Sequence, residues 1–172
     1  MVDKIAQFKS KARHVGTFDF KETYRIIYEW LVDQGYDIHE LYYKEVVGSG
    51  GAKEVDIRWI ATKPISDYFR FSIALWIHPL AMTSVEVEID GVKQKVNKGD
   101  FTIEISSALE KDYENEWGQN NFLKELKRIY NRHLVKERTE QYEGQLIAEL
   151  DALIEYIKSF WALTGKRTLS AI

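Results

Sequence analysis

A chain of 172 residues with 45% hydrophobic and 30% charged side chains has the size and composition of one globular domain that buries a core without staples. It has no cysteine, which excludes disulfides, thiolate nucleophiles and cysteine-ligated metals, and its net charge of -3 argues against nucleic acid as a partner. The longest apolar stretch, Ile73 to Met82, is broken by His78 and Pro79 and is too short for a transmembrane segment; with no signal-peptide core at the N-terminus, the expected location is cytoplasmic.

Residues 3–15 read as an edge strand, with Ala6, Phe8 and Ala12 on one face and Lys9, Lys11 and Arg13 on the other. A helix follows over 19–34. Asp19 and Glu22 form a capping-box-like start, Phe20, Tyr24, Ile27 and Leu31 recur at helical spacing, and Gly35 suits the stop. Three strands are predicted near 38–47, 53–62 and 67–78, separated by Gly48-Ser49-Gly50-Gly51 and Lys63-Pro64-Ile65-Ser66. In the second, Val55, Ile57, Trp59 and Ala61 alternate with charged residues. The third sets Phe69, Phe71, Ile73, Leu75 and Ile77 against Tyr68, Arg70, Ser72, Ala74, Trp76 and His78. Matching the apolar faces pairs Ala61 with Phe69, Trp59 with Phe71 and Ile57 with Ile73, across an odd-length loop or a bulge.

Asp90-Gly91 is a two-residue hairpin signal that pairs Ile89 with Val92, Glu88 with Lys93, Val87 with Gln94, Glu86 with Lys95 and Val85 with Val96. A second turn at Asn97–Asp100 then returns Phe101, Ile103 and Ile105 as a third strand, with Val96 beside Phe101 and Lys93 opposite Glu104. The last third is helical. One helix follows Asn120 or Asn121 and carries Phe122, Leu126, Ile129 and Tyr130; a break is expected near 136–144. A second carries Ile147, Leu150, Ile154, Ile157 and Trp161, widened by Leu146, Leu153 and Phe160, and ends at Gly165. Its stripe reads as packing on the sheet rather than as an inter-subunit seam. The fold class is α+β: an antiparallel sheet of about six to seven strands, one N-terminal helix and two C-terminal helices, over a single domain 1–172.

No catalytic constellation stands out. Glu86 and Glu88 are explained by their cross-strand lysines. Gly48-Ser49-Gly50-Gly51-Ala52-Lys53 leads into a strand, not the helix a phosphate loop requires, so it reads as a hairpin turn. His14, His39, His78 and His133 lack metal-ligand spacing, so no metal or cofactor is assigned. Glu45 shares strand parity with Leu41, Tyr43 and Val47: on an internal face it is a carboxylate with a raised pKa, whereas on an edge strand it reaches solvent, the reading favoured because unpaired buried Glu is rare. Lys124, Arg128, Arg132 and Lys136 stand four apart, with Lys127 and Arg138 broadening a basic stripe; it suits an anionic partner, or is a solvated face balanced by Glu110, Asp112, Glu114 and Glu116.

The order strand, helix, about six antiparallel strands and long C-terminal helix, over residues 3–15, 19–34, 38–109 and 140–163, resembles the START-like, helix-grip superfamily. The likeness lies in element order. One helix rather than two follows the first strand, and an additional helix around 121–136 precedes the last, so an open antiparallel sheet with helices on one face fits the same order. The resemblance implies a sheet curled around the last helix and a cavity between them that takes an apolar ligand. The expected function is therefore non-enzymatic binding of an apolar small molecule or lipid, lined by Trp59, Phe69, Phe71 and Trp161 with Glu45 as the polar group. The alternative is a protein–protein or self-assembly module using the outer sheet face around Ile60, Tyr68 and Trp76, or the C-terminal helices. A third reading is anionic-polymer binding through Lys124, Arg128, Arg132 and Lys136.

Overall fold

The computed structural model describes residues 3–89, 91–113 and 135–169. The fold is α+β, and the chain runs β1 (Asp3–Phe18), α1 (Phe20–Asp33), β2 (Asp37–Val47), β3 (Lys53–Pro64), β4 (Phe69–Ile89), β5 (Val92–Lys111) and α2 (Val135–Leu169). The strands form one open antiparallel sheet in the order β1-β5-β4-β3-β2. Because β1 and β2 are its two edges, α1, which joins them, has to cross a face. It starts as the sequence predicts: Asp19 is the N-cap, its side chain accepting from the Glu22 N–H at 2.9 Å.

There are five strands rather than six or seven, because two expected turns are continuous strand. β4 runs for 21 residues through His78-Pro79, and β5 for 20 through Asn97–Asp100. Pro79 stands where the β3–β4 ladder is interrupted, between Ile57↔Ile77 and Lys53↔Met82, so its missing N–H costs little pairing. A bulge follows between Leu80 and Thr83, with Ala81 at φ 50. Gly99 faces that bulge: a Cβ there would lie 2.7 Å from the Leu80 carbonyl oxygen and 3.1 Å from the Met82 Cα. Gly99 thus marks a close approach of two backbones, where the sequence suggests a turn. Consequently Phe101 pairs with Pro79 rather than Val96, and Glu104 pairs with Trp76 rather than Lys93.

The Asp90-Gly91 hairpin has the register the sequence sets, from Ile89↔Val92 to Val85↔Val96, with Gly91 at φ 77. Between β3 and β4 the apolar faces match as expected, but the pairing is displaced: Ala61 meets Ile73, Trp59 meets Leu75 and Ile57 meets Ile77. Five residues, Ile65 to Phe69, stand between the members of the last pair Pro64↔Arg70, an odd number as parity demands.

α2 continues unbroken through 136–144 and past Gly165 to Leu169. It lies mainly along β1, with further contacts to β5, β4 and α1. The expected helix over 121–136 lies outside the described residues up to position 134, and its last two positions begin α2. Leu146, Leu150, Leu153, Ile154, Ile157 and Trp161 are buried, whereas Ile147 sits at the margin, 37% exposed. The stripe packs on the sheet, offset by one residue at its start.

Candidate functional site

The two faces of the sheet differ. On the inner face, Phe18, Ile57, Trp59, Phe69, Phe71, Ile73, Ile77, Phe101 and Ile103 are buried with the apolar sides of α1 and α2. The four aromatics expected to line a cavity, Trp59, Phe69, Phe71 and Trp161, are at most 2% exposed and engage neighbouring rings. Tyr24 meets Trp59 edge-on at 4.7 Å, Tyr142 lies 5.2 Å from Phe69 and 6.4 Å from Phe71, and Phe101 lies 5.2 Å from Trp161. Their polar atoms are used too. Trp161 Nε1 donates to Thr23 Oγ1 at 3.3 Å, and Trp59 Nε1 to Glu40 at 3.0 Å. Glu40 also accepts from the Tyr24 hydroxyl, whose pKa is pushed up to about 12 by burial and then by that carboxylate. Across the rim, Glu149 of α2 accepts from the Tyr36 hydroxyl at 2.7 Å and the Lys63 ammonium at 2.8 Å.

Glu45 is not part of this assembly. β2 is an edge strand, Glu45 is exposed, and it pairs with Lys53 at 2.6 Å across the β2–β3 hairpin. Of the basic stripe, Lys136 is exposed at the start of α2, while Lys124, Arg128 and Arg132 lie outside the described residues. Glu110 and Asp112, read as solvated counter-charges, are buried instead. Glu110 accepts from Arg70 at 2.6 Å and lies 3.9 Å from Lys4.

On the outer face, alternation and register build a relief of transverse rows. One row runs across all five strands as Tyr42–Arg58–Trp76–Glu104–Lys11. It is tall and cross-linked. The Arg58 guanidinium lies 5.6 Å from the Tyr42 ring centroid and 5.4 Å from that of Trp76. Asp56 accepts from Trp76 Nε1 at 2.7 Å and from Arg58 at 3.4 Å, and Lys11 pairs with Glu104 at 2.8 Å. His78 stacks on Trp76 with ring centroids 4.3 Å apart. Its buried Nε2 has no hydrogen-bond partner among the described residues, and Glu104 is 3.9 Å away. Burial holds the His78 imidazole below its ordinary value near 6.5, an effect the Glu104 carboxylate opposes.

The adjoining row is low: His39–Ile60–Ala74–Ser106–Lys9. The next, Thr62–Ser72–Ala108–Gln7, is low as well. Small side chains beside a tall ridge leave a cleft of about 700 Å³, lined by Ile60, Ala74, Trp76 and Ser106 on its floor and wall and by Lys9, Lys11, Arg58 and Glu104 at its edges. A second hollow of about 270 Å³ lies on the other side of the Tyr42–Trp76 ridge, beside His78 and Leu80. The bulge in β2 adds a wall to the first cleft. Leu41 has no partner on β3, because pairing steps from Glu40↔Trp59 to Tyr42↔Arg58, and it lines the cleft while 62% exposed.

The outer set anticipated from sequence is therefore partly brought together: Ile60 and Trp76 line the cleft, whereas Tyr68 is buried beside Phe69. Leu41, Arg58, Ala74 and Ser106 escaped sequence reading as site residues. The signal for Ser106 was present in the alternation from Phe101 to Leu109, which continues the strand beyond Ile105. Among the described residues no group of three or more His, Asp or Glu could hold a metal. No described helix is long and apolar enough to cross a membrane. Comparison with family models, with curated proteins and with solved structures finds no match to this chain.

Proposed function

We propose that the protein is a non-enzymatic binding module that holds a small apolar molecule on the outer face of its sheet, in the cleft beside Trp76. The supporting observation is the contrast of reliefs: rings fill the helix-covered side, whereas the low row with Ala74 and Ser106 beside Trp76 leaves about 700 Å³ on the other. The START-like layout offers the helix-covered side for the same class of ligand, and the test separates the two. A neutral apolar probe, N-phenylnaphthylamine, is expected to gain fluorescence on binding. Ala74→Trp fills the floor at an exposed position and is expected to abolish that gain while leaving the thermal midpoint unchanged. Undiminished probe binding by Ala74→Trp overturns the outer-face site.

A second reading, self-assembly, is favoured by the β2 edge, where Tyr43, Val46 and Val47 are exposed along a border that pairs with no other described strand. It requires concentration-dependent sedimentation that Val46→Lys removes; a strict monomer at high concentration eliminates it.

A further inference from the structure

We infer that the cleft ligand is an elongated organic anion, with its acidic group at the β1–β5 end and its apolar body pointing across β4 and β3 toward Leu41. The inference rests on the outer-face binding reading and adds chemistry and direction to it. The first ground is charge. The lining holds three cations, Lys9, Lys11 and Arg58, against one carboxylate, Glu104, on a chain whose net charge is -3. Two of the cations are engaged: Lys11 by Glu104 at 2.8 Å, and Arg58 by Asp56 at 3.4 Å, where the carboxylate is shared with Trp76. Lys9 makes no ion pair with any described residue. Glu104 lies within electrostatic reach of Lys9 but is paired to Lys11, so an anion at the β1 end meets an ammonium outside any described ion pair, whereas a cation there meets net repulsion.

The second ground is the order of side chains along the floor. Starting at β1, the part of the low row that lines the cleft reads Lys9, Ser106, Ala74, Ile60, with cationic and hydroxyl groups at one end and apolar groups at the other; His39, which ends the row on β2, is not in the lining. Leu41 extends the apolar end, brought there by the β2 bulge. From β1 to β3 is three strand spacings, about 14 Å, so a compact ion would leave most of the floor bare. A body long enough to cover Ala74 and Ile60 matches the gradient. A single-stranded polynucleotide matches it poorly. Stacking needs free ring faces, and here Tyr42, Arg58, Trp76 and His78 stack on one another.

Isothermal titration of the full chain at pH 7.5 with dodecanoate and with dodecyltrimethylammonium, each below its micelle concentration, tests this. Dodecanoate is expected to bind at least tenfold more tightly than the cation of equal chain length. Lys9→Glu is expected to weaken dodecanoate at least tenfold and Lys9→Gln by less, while Lys44→Glu, outside the cleft lining, changes little. Equal binding of the two amphiphiles, or indifference to Lys9→Glu, overturns the anion inference. If Ala74→Trp still abolishes both in that case, the outer-face binding reading survives alone. Binding of dodecanoate unaffected by Ala74→Trp overturns both, as does failure of both amphiphiles to bind.

Discussion

The two faces of this sheet are built from the same five strands, residue by residue in alternation, yet one is filled and the other hollowed. Along β4 the inner series Phe69, Phe71, Ile73, Leu75 and Ile77 is buried, and the outer series Arg70, Ser72, Ala74, Trp76 and His78 rises and falls. Inside, large rings meet helices that supply matching surface. Outside, Ala74 and Ser106 lie next to Trp76 and Glu104 in register, and no described helix fills the step. Apolar side chains on a strand are therefore not in themselves evidence of a ligand site. A site needs unequal neighbours and an uncovered face.

The largest expected effect comes from breaking the filled face. Phe71→Ala or Trp161→Ala removes a fully buried ring and is expected to cost about 3–5 kcal/mol in urea unfolding, whereas Trp76→Ala, at a side chain 39% exposed that loses its Asp56, Arg58 and His78 contacts, costs about 1–2 kcal/mol. Comparable losses at Phe71 and Trp76 would erase the distinction between the faces. Gly99→Ala comes next. Its Cβ meets the bulged backbone of β4, so roughly 1–3 kcal/mol is lost, and loss of amide protection around Ala81 and Met82 by hydrogen exchange should accompany it. At the rim, Glu149→Ala leaves Tyr36 and Lys63 without their acceptor and is expected to cost about 1–2 kcal/mol, because these groups are only partly exposed.

The smallest effect is the pH response of the hollowed face. The His78 pKa is lower in the folded chain than its ordinary value near 6.5, so the unfolded chain takes up a proton first as pH falls. Stability should decline from about pH 6.5 downward and level off below the folded value. His78→Phe should flatten that segment of the urea-midpoint profile. The lowered carboxyl groups of Asp100, held by Arg13, and Glu104, held by Lys11, add a separate decline below their ordinary values of 3.8 and 4.5. A profile of His78→Phe that still falls between pH 6.5 and 5 would assign the response to other groups.

The residues themselves determined the local elements. Asp19 and Glu22 fixed the start of α1, and Asp90-Gly91 with its flanking Glu–Lys alternation fixed a hairpin register that the structure keeps pair for pair. The inner face was legible for the same reason, since period-two and period-four apolar patterns each name the side that has to be buried. The extent of β4 and β5 was not legible. Pro79 and Gly99 punctuate turns in most settings, and only the pairing of a bulge with a glycine across the ladder makes them strand. The β3–β4 register was legible in parity but not in position, because a shift of four residues keeps every side chain on its face. The cleft was least legible of all. It arises from the heights of Ala74, Ser106 and Ile60 relative to Trp76 and Arg58 on three different strands, and from a bulge that aims Leu41 at them. Sequence periodicity specifies which side of a strand faces the core, but relief across strands exists only once register has placed distant residues side by side.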